Sequence, residues 1–392
     1  MATPLRGADL DRRTPVRARR VARALLASTL ALTVVGGVAA TAGAEPLPGP
    51  GAATLGEQSG EVRSFQDLLA SRLTPEHEAE LEQRVQAFAA AGTERVAGKD
   101  RYQTAVAVSA AFDPGVPVVY VASGTGFADA LSAAPAAAVQ GGPLLLVQPN
   151  GVPTVVADEL ARLAPQRIVV VGGSGAVSNA VYSQLAAYTP AIRRDSGADR
   201  YATSRLVSER AFAGSPVGVA YLATGVDFPD ALSAGAVAGA YGVPVVLVNG
   251  KAPGVDATTK QLFQTLGVEA VGIAGGYGAV SAGIEADLLD EPYINGAVAR
   301  FAGKNRYETS VALNQGVFEW ATGAFLATGS GYADALAGAA AAGALPLPLW
   351  VVPSTCVPGG VLDDGAALGV TTYFLLGGRG ALGDGVAALS RC

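Results

Sequence analysis

Short, uninterrupted apolar runs alternate along this chain with longer stretches in which apolar residues return at helical spacing. The first set of runs lies at 118–122, 219–223 and 324–327. A second set lies at 144–147, 245–248 and 347–352. A third set ends each time in a double glycine: Val169-Val170-Val171 before Gly172-Gly173, Gly272-Ile273-Ala274 before Gly275-Gly276, and Phe374-Leu375-Leu376 before Gly377-Gly378. Runs this short, with no polar alternation, predict strands covered on both faces. The intervening stretches are long enough for crossover helices, so the order predicted is helix, strand, helix, strand, helix, strand, helix. That order predicts a small parallel-sheet α/β sandwich of about 100 residues, occurring three times.

The helix after each first run is unusual. Residues 130–139, 231–240 and 335–344 consist almost wholly of Ala, Gly, Leu, Ser and Val. A helix that is apolar all round is buried. These three are therefore predicted to be central elements, facing the neighbouring modules.

The threefold repetition is explicit in the residues. Arg95 to Thr104, Arg194 to Thr203 and Arg300 to Thr309 share the frame R-x-x-G-x-[DN]-R-Y-x-T. Each frame is followed by Phe127-Ala-Asp129-Ala-Leu, Phe228-Pro-Asp230-Ala-Leu or Tyr332-Ala-Asp334-Ala-Leu. The aspartates are 101 and 104 residues apart, and the glycine pairs 103 and 102. Matched residues at matched spacing mark tandem repeats. The modules are placed at 94–192, 193–298 and 299–392.

The first 93 residues follow a different pattern. Arginines up to Arg23 precede an apolar stretch, and Ala42-Gly43-Ala44 offers a small-x-small cleavage pattern before Glu45. Residues 1–44 are expected to be an export signal, with an uncleaved anchor as the alternative. Arg19-Arg20 leaves the twin-arginine route open. Residues 45–60 are rich in Pro and Gly and predict a linker. From residue 61 to 91 the pattern is helical, with Thr74-Pro75 as a helix start and Leu81, Val85 and Phe88 at helical spacing. Residues 45–93 are thus expected to be a linker and a short helical arm.

Charge separates along the same boundary. Residues 1–44 carry seven arginines and two aspartates, a surplus of five; the whole chain is −6, so residues 45–392 are −11. An acidic mature part argues against nucleic-acid binding. Two cysteines, Cys356 and Cys392, predict a disulfide in an exported protein. Two thiols without nearby histidine make a poor metal site, and no metal or cofactor is expected. The one histidine, His77, sits between Glu76 and Glu78 and is expected to be a solvated helix residue. The modules contain no histidine, which excludes a Ser-His-Asp triad within them.

Three groups of residues remain as candidate sites. The double-glycine turns (Gly172, Gly173; Gly275, Gly276; Gly377, Gly378) complete no dinucleotide fingerprint. Ser174 becomes Tyr277 and Arg379 in the other copies, which argues against a nucleophile. A tight turn into a helix capped by Ser178 or Ser281 is the expectation. The pairs Arg101-Tyr102, Arg200-Tyr201 and Arg306-Tyr307 are the best ligand-binding candidates. Guanidinium pairs with phosphate or carboxylate, and tyrosine stacks on sugar rings. The alternative is structural: the arginines pair with Asp129, Asp230 and Asp334 within or between modules. These aspartates are also candidates to cap or begin their helices. No catalytic residue is assigned.

These frames, the Phe/Tyr-x-Asp-Ala-Leu helix starts and the Gly-Gly turns resemble those of the cell wall binding repeat 2 family, over about residues 95–392. The resemblance implies three modules with a Rossmann-like or Toprim-like fold in a pseudo-threefold arrangement. It also implies an exported surface protein held noncovalently on the Gram-positive wall through anionic secondary polymers, and the partner expected is such a polymer or a peptidoglycan-associated glycan. The Ala- and Arg-rich composition resembles that of actinobacteria. Residues 45–93 are too short and too poor in catalytic groups for an effector domain. Two other readings compete: a carboxylate-dependent wall glycan hydrolase, and an exported binder of a small ligand or nucleotide.

Overall fold

The computed structural model describes residues 65–70, 92–214 and 216–392. The expected signal at 1–44, the linker at 45–60, the helix start at Thr74-Pro75 and His77 lie outside the described residues. The described residues belong to one compact unit.

Each of the three sheets has four parallel strands. The first has the order β3-β2-β4-β5, with β2 Val119–Ser123, β3 Leu144–Val147, β4 Ile168–Val171 and β5 Ile192–Asp195. The second has the order β7-β6-β8-β9, with β6 Gly218–Thr224, β7 Val245–Val248, β8 Val268–Ala274 and β9 Val298–Phe301. The third has the order β11-β10-β12-β1, with β10 Gly323–Thr328, β11 Leu349–Val352, β12 Thr372–Leu376 and β1 Gly92–Val96. The apolar runs of the sequence became the inner strands and one edge, and their side chains are almost all buried.

The fourth strand of each sheet was not legible as a strand. Its sequences, Gly92–Val96, Ile192–Asp195 and Val298–Phe301, carry charge and are only partly covered. An edge strand needs pairing on one side only, so it tolerates polar residues that an inner strand does not. Each of these strands includes the first arginine of a repeat frame, yet it pairs with the sheet that precedes the frame in the cycle. β5 joins β4, β9 joins β8, and β1 crosses the chain to join β12. The last pairing closes the three modules into a ring, Gly92 beside Thr372 through Val96 beside Leu376.

The helices in chain order are α1 Phe65–Ala70, α2 Arg101–Ser109, α3 Ala128–Val139, α4 Thr154–Leu163, α5 Asn179–Leu185, α6 Arg200–Phe212 and α7 Pro229–Ala240. They continue with α8 Ala257–Leu266, α9 Ala282–Leu289, α10 Arg306–Gln315, α11 Ala333–Ala344, α12 Gly359–Leu368 and α13 Asp384–Ala387. The small-residue helices α3, α7 and α11 pack against one another at the centre of the ring. Gly239 and Gly343 set how closely they meet: a Cβ on Gly239 would fall 3.0 Å from both the Gly343 Cα and the Ala138 Cβ. The neighbouring helices bridge modules, with α6 packing on α3, α10 on α7 and α2 on α11.

Local chemistry explains where the helices start. Asp100 accepts hydrogen bonds from the Tyr102 and Gln103 amides, Asp199 from Ala202, and Asn305 from Tyr307 and Glu308. The [DN] position of the frame is therefore an N-cap, which explains its restriction to short side chains with a carbonyl oxygen. Ser178 and Ser281 cap α5 and α9 after the double-glycine turns. Cys356 and Cys392 are joined in a disulfide that ties down the C-terminus, where the Cys392 amide also donates to the Val357 carbonyl. No helix among the described residues is long and apolar enough to cross a membrane.

Candidate functional site

The three loops between first strand and central helix meet on the pseudo-threefold axis. Phe127, Phe228 and Tyr332 stand immediately before α3, α7 and α11, and their rings form a nearly equilateral triangle. The centroids are 5.7 Å apart for Phe127 and Phe228, 5.6 Å for Phe127 and Tyr332, and 5.8 Å for Phe228 and Tyr332. All three rings are half-buried.

One arginine of each frame stands over one ring of the triangle. Arg101 lies 5.7 Å from the Tyr332 centroid, Arg200 lies 5.9 Å from Phe127, and Arg306 lies 5.9 Å from Phe228. Each arginine thus covers the ring of the preceding module, always in the same rotational sense. Cation–π contact of this kind helps hold each guanidinium in place over the ring. Each arginine also donates to the glycine carbonyl that follows its own module's first strand: Arg101 to Gly124, Arg200 to Gly225 at 2.7 Å, and Arg306 to Gly329 at 2.5 Å. Arg306 has a further ion pair with Asp227 at 3.6 Å. Arg200 is exposed, and Arg101 and Arg306 are half-buried.

Tyr102, Tyr201 and Tyr307 take a different position. Their rings pack beside the glycines of the same loops, where a Cβ on Gly124, Gly225 or Gly329 would fall 2.7 Å from the ring in each case. Burial raises the Tyr102 hydroxyl above its ordinary pKa. The tyrosines therefore buttress the loops that carry the axial residues, and the aromatic triangle itself consists of residues the frame did not single out. The first residue of the Phe/Tyr-x-Asp-Ala-Leu motif was the available signal.

Asp129, Asp230 and Asp334 lie in the first turn of their helices without capping them. Each carboxylate faces its own module's double-glycine turn. Gly172, Gly275 and Gly377 adopt φ of +103°, +110° and +99°, and a Cβ there would fall 2.6, 2.5 and 2.3 Å from the Asp129, Asp230 and Asp334 Oδ2 atoms. On its other side each carboxylate faces the next module. Asp129 meets Thr203 and the field of Arg200, Asp230 the field of Arg306, and Asp334 meets Thr104 and the field of Arg101. Among the described residues no direct ion pair of 4 Å or less joins these arginines to these aspartates; the coupling runs between modules and at longer range. Burial pushes all three carboxyls up. Asp230 reaches about 6 through burial and then the neighbouring Asp227, against the pull of Arg306.

The first arginine of each frame, not singled out from sequence, also has a definite place. Arg95 donates to the Gly377 and Leu382 carbonyls at 2.7 and 2.8 Å, Arg194 to Gly172 at 2.7 Å, and Arg300 to Gly275 and Val280 at 2.8 and 3.0 Å. The double-glycine turns are thus clamped from two sides, by an arginine and a carboxylate. The described residues contain no cluster of metal-ligating side chains.

Comparison with known proteins follows the same threefold division. The sequence model of Cell wall binding domain 2 (CWB2) matches residues 95–182, 194–285 and 300–387. The chain is 27% identical over 253 residues to N-acetylmuramoyl-L-alanine amidase LytC of Bacillus subtilis (strain 168), covering 64% of this chain and 49% of that protein. It is 29% identical over 267 residues to the Amidase enhancer of the same organism, covering 68% of this chain and 35% of that protein. The chain thus spans half or less of the length of these curated relatives. In fold it is similar to Cwp6 from Clostridium difficile, with a TM-score of 0.67 at 24% identity over 74% of this chain and 46% of that one. Cwp8 from the same organism gives a TM-score of 0.69 at 24% identity over 80% of this chain and 53% of that one.

Proposed function

Because the chain belongs to the Cell wall binding domain 2 family, we propose that it is an exported surface protein that holds noncovalently to a Gram-positive cell wall by recognising an anionic wall polymer. The observation that carries this reading is the axial cluster: three arginines, one from each module, standing over three aromatic rings within 6 Å of one another. Guanidinium groups held by cation–π contact suit phosphate or carboxylate groups, and the half-buried aromatic rings offer apolar surface to sugars. The rest of the mature chain is acidic, so attraction is local; screening beyond about 8–10 Å limits the long-range repulsion.

No hydrolytic role is assigned to the module aspartates. Asp129, Asp230 and Asp334 are enclosed between a glycine turn and the adjoining module. Glycosidase chemistry needs a carboxyl pair about 5–10 Å apart and open to substrate. The disulfide is consistent with an oxidising compartment outside the cytoplasm, and thus with the export signal expected at residues 1–44.

The test is cosedimentation of residues 45–392 with isolated Gram-positive walls, before and after chemical removal of their anionic polymers, with and without calcium. Pelleting that disappears with the polymer is the expected result. Equal pelleting on stripped walls overturns the polymer assignment, and no pelleting on either overturns wall binding.

A further inference from the structure

The second module departs from its sisters at the axis itself. The loop that leads to the axial ring reads Gly124-Thr125-Gly126-Phe127 in the first module and Gly329-Ser330-Gly331-Tyr332 in the third. In the second it reads Gly225-Val226-Asp227-Phe228. In the first and third loops a hydroxyl pairs with the end of the strand, Thr125 with Ser123 at 2.9 Å and Ser330 with Thr328 at 2.8 Å. Val226 has no hydroxyl to make that bond, and it is 62% exposed. Two adjacent exposed positions beside the triangle therefore differ together, one as an apolar side chain and one as a carboxylate.

The fold does not ask for the carboxylate. Neither Gly126 nor Gly331 has a left-handed φ. A Cβ on Gly126 meets nothing within 4 Å, and one on Gly331 meets the Thr328 methyl at an ordinary 3.5 Å. Helices α3 and α11 start after their glycines as α7 starts after Asp227, with no side-chain cap in any of the three. Asp227 Oδ1 accepts from the Phe228 amide at 2.9 Å, and Oδ2 lies 3.6 Å from Arg306. Both partners of that ion pair are open to solvent, 56% for the Asp227 side chain and 37% for Arg306. An exposed pair at this distance adds little to stability.

At an anion site the carboxylate is a disadvantage. It stands beside one of the three axial guanidinium groups and repels the phosphate or carboxylate that the arginines attract. Glycine, as in the sister modules, suits a polymer of negative charge alone. The ligand group that gains from the exchange is a cation. A calcium ion takes about six to eight oxygen ligands. Among the described residues no three metal-ligating side chains cluster, and Arg306 adds positive charge at the same place. A primary ammonium is satisfied by a carboxylate oxygen and water, and exposed Val226 offers apolar surface to the carbon that bears it.

We propose, resting on the wall-binding reading above, that the polymer held on the axis carries primary ammonium groups beside its anionic groups, and that Asp227 is the residue that selects them. The ammonium meets Asp227 Oδ2, and the neighbouring anionic group meets the axial arginines. An aminoacyl ester and an amino sugar both supply this chemistry.

The test is cosedimentation of the full chain, in EDTA, with three preparations of isolated Gram-positive walls. One is untreated, one is N-acetylated with acetic anhydride, and one is washed in mild alkali, which removes aminoacyl esters and spares amino sugars. Asp227→Asn keeps the acceptor for the Phe228 amide and removes the charge, and Asp227→Gly copies the sister modules. Acetylation should weaken the parent about fivefold, as suits the loss of one exposed charge pair, and leave both variants unchanged. An equal loss after the alkali wash assigns an aminoacyl ester, and binding that survives the wash but not acetylation assigns an amino sugar. Equal binding of the parent to untreated and acetylated walls overturns the proposal. So does an equal loss in parent and variants, or tighter binding of either variant to untreated walls, which makes Asp227 a repelling group only. Parent binding that needs calcium and fails in EDTA also overturns it, because the carboxylate then holds a bridging cation. These outcomes leave wall binding itself standing; no pelleting in EDTA or in calcium overturns the wall-binding reading and this inference with it.

Discussion

The guanidinium of Arg194 donates to the carbonyl of Gly172 at 2.7 Å, and by this bond the start of one sequence repeat holds the end of the previous sheet. Arg300 does the same for Gly275, and Arg95 for Gly377 across nearly the whole chain. The repeat read from sequence is therefore offset from the repeat built by the sheets. Its first arginine sits on the edge strand of one sheet, and its second arginine opens the helix of the next module.

This relationship predicts a stability loss. Replacing Arg194 with Met keeps the aliphatic stem but leaves the Gly172 carbonyl without its charged donor. Hydrogen bonds to charged groups are worth about 1.5–3 kcal/mol, so urea unfolding at pH 7 should show a loss of that size. A loss below about 0.5 kcal/mol means that the clamp does not support the turn.

Much of this was legible because burial leaves a plain mark on sequence. The inner strands read as short apolar runs, and α3, α7 and α11 read as Ala- and Gly-rich helices that only a crowded centre requires. The edge strands were not legible, since Arg193, Arg194 and Asp195 give no apolar run. Their partners are fixed by ring closure, a relation between distant residues. At the candidate site, Arg101, Arg200 and Arg306 stood out as repeated charges. The triangle of Phe127, Phe228 and Tyr332 did not, because its members are about 100 residues apart and meet only on the axis.

The centre of the ring should be intolerant of size. Gly239 touches both Ala138 and Gly343, so a Leu side chain there has no space without parting α7 from α3 and α11. Overpacking of this kind typically costs about 1–3 kcal/mol, and here two helix contacts are lost together. Gly239→Leu should lower the thermal midpoint and broaden the transition, as modules begin to unfold separately. An unchanged, equally sharp transition counts against the central packing described above.

Stability should fall as pH rises from about 4 to about 6. Asp230 titrates near 6 in the folded chain, chiefly through burial, and Asp364, buried beside Trp350, behaves likewise. Unfolded aspartate titrates near 3.9. Between the two values the folded chain holds protons that the unfolded chain has lost, so the stabilisation present at low pH is lost across this window. Asp256 and Asp287, held low by their hydrogen bonds, act in the opposite direction only below about 4. Urea midpoints should be higher at pH 5 than at pH 7.5, and Asp230→Asn should flatten the profile. A midpoint that rises with pH over this range contradicts the burial of these carboxyls.

The axial cluster makes a prediction about wall binding that separates one composite site from three independent ones. The three rings lie within 6 Å of one another, and each arginine stands over a ring of a different module. A polymer segment held there meets all three guanidinium groups at once. Substituting Gln for any one of Arg101, Arg200 or Arg306 should then remove most of the binding, and the triple variant should be little worse. Independent sites would lose affinity in three comparable steps. Arg→Lys variants keep the charge but lose the planar stacking and the bidentate N–H edge, so they should bind more weakly than the parent and more tightly than the Gln variants. Pelleting should also decline with added salt in the parent and decline less in the triple Gln variant. Additive single losses would favour one site per module, and full binding by the triple variant would move the site off the axis.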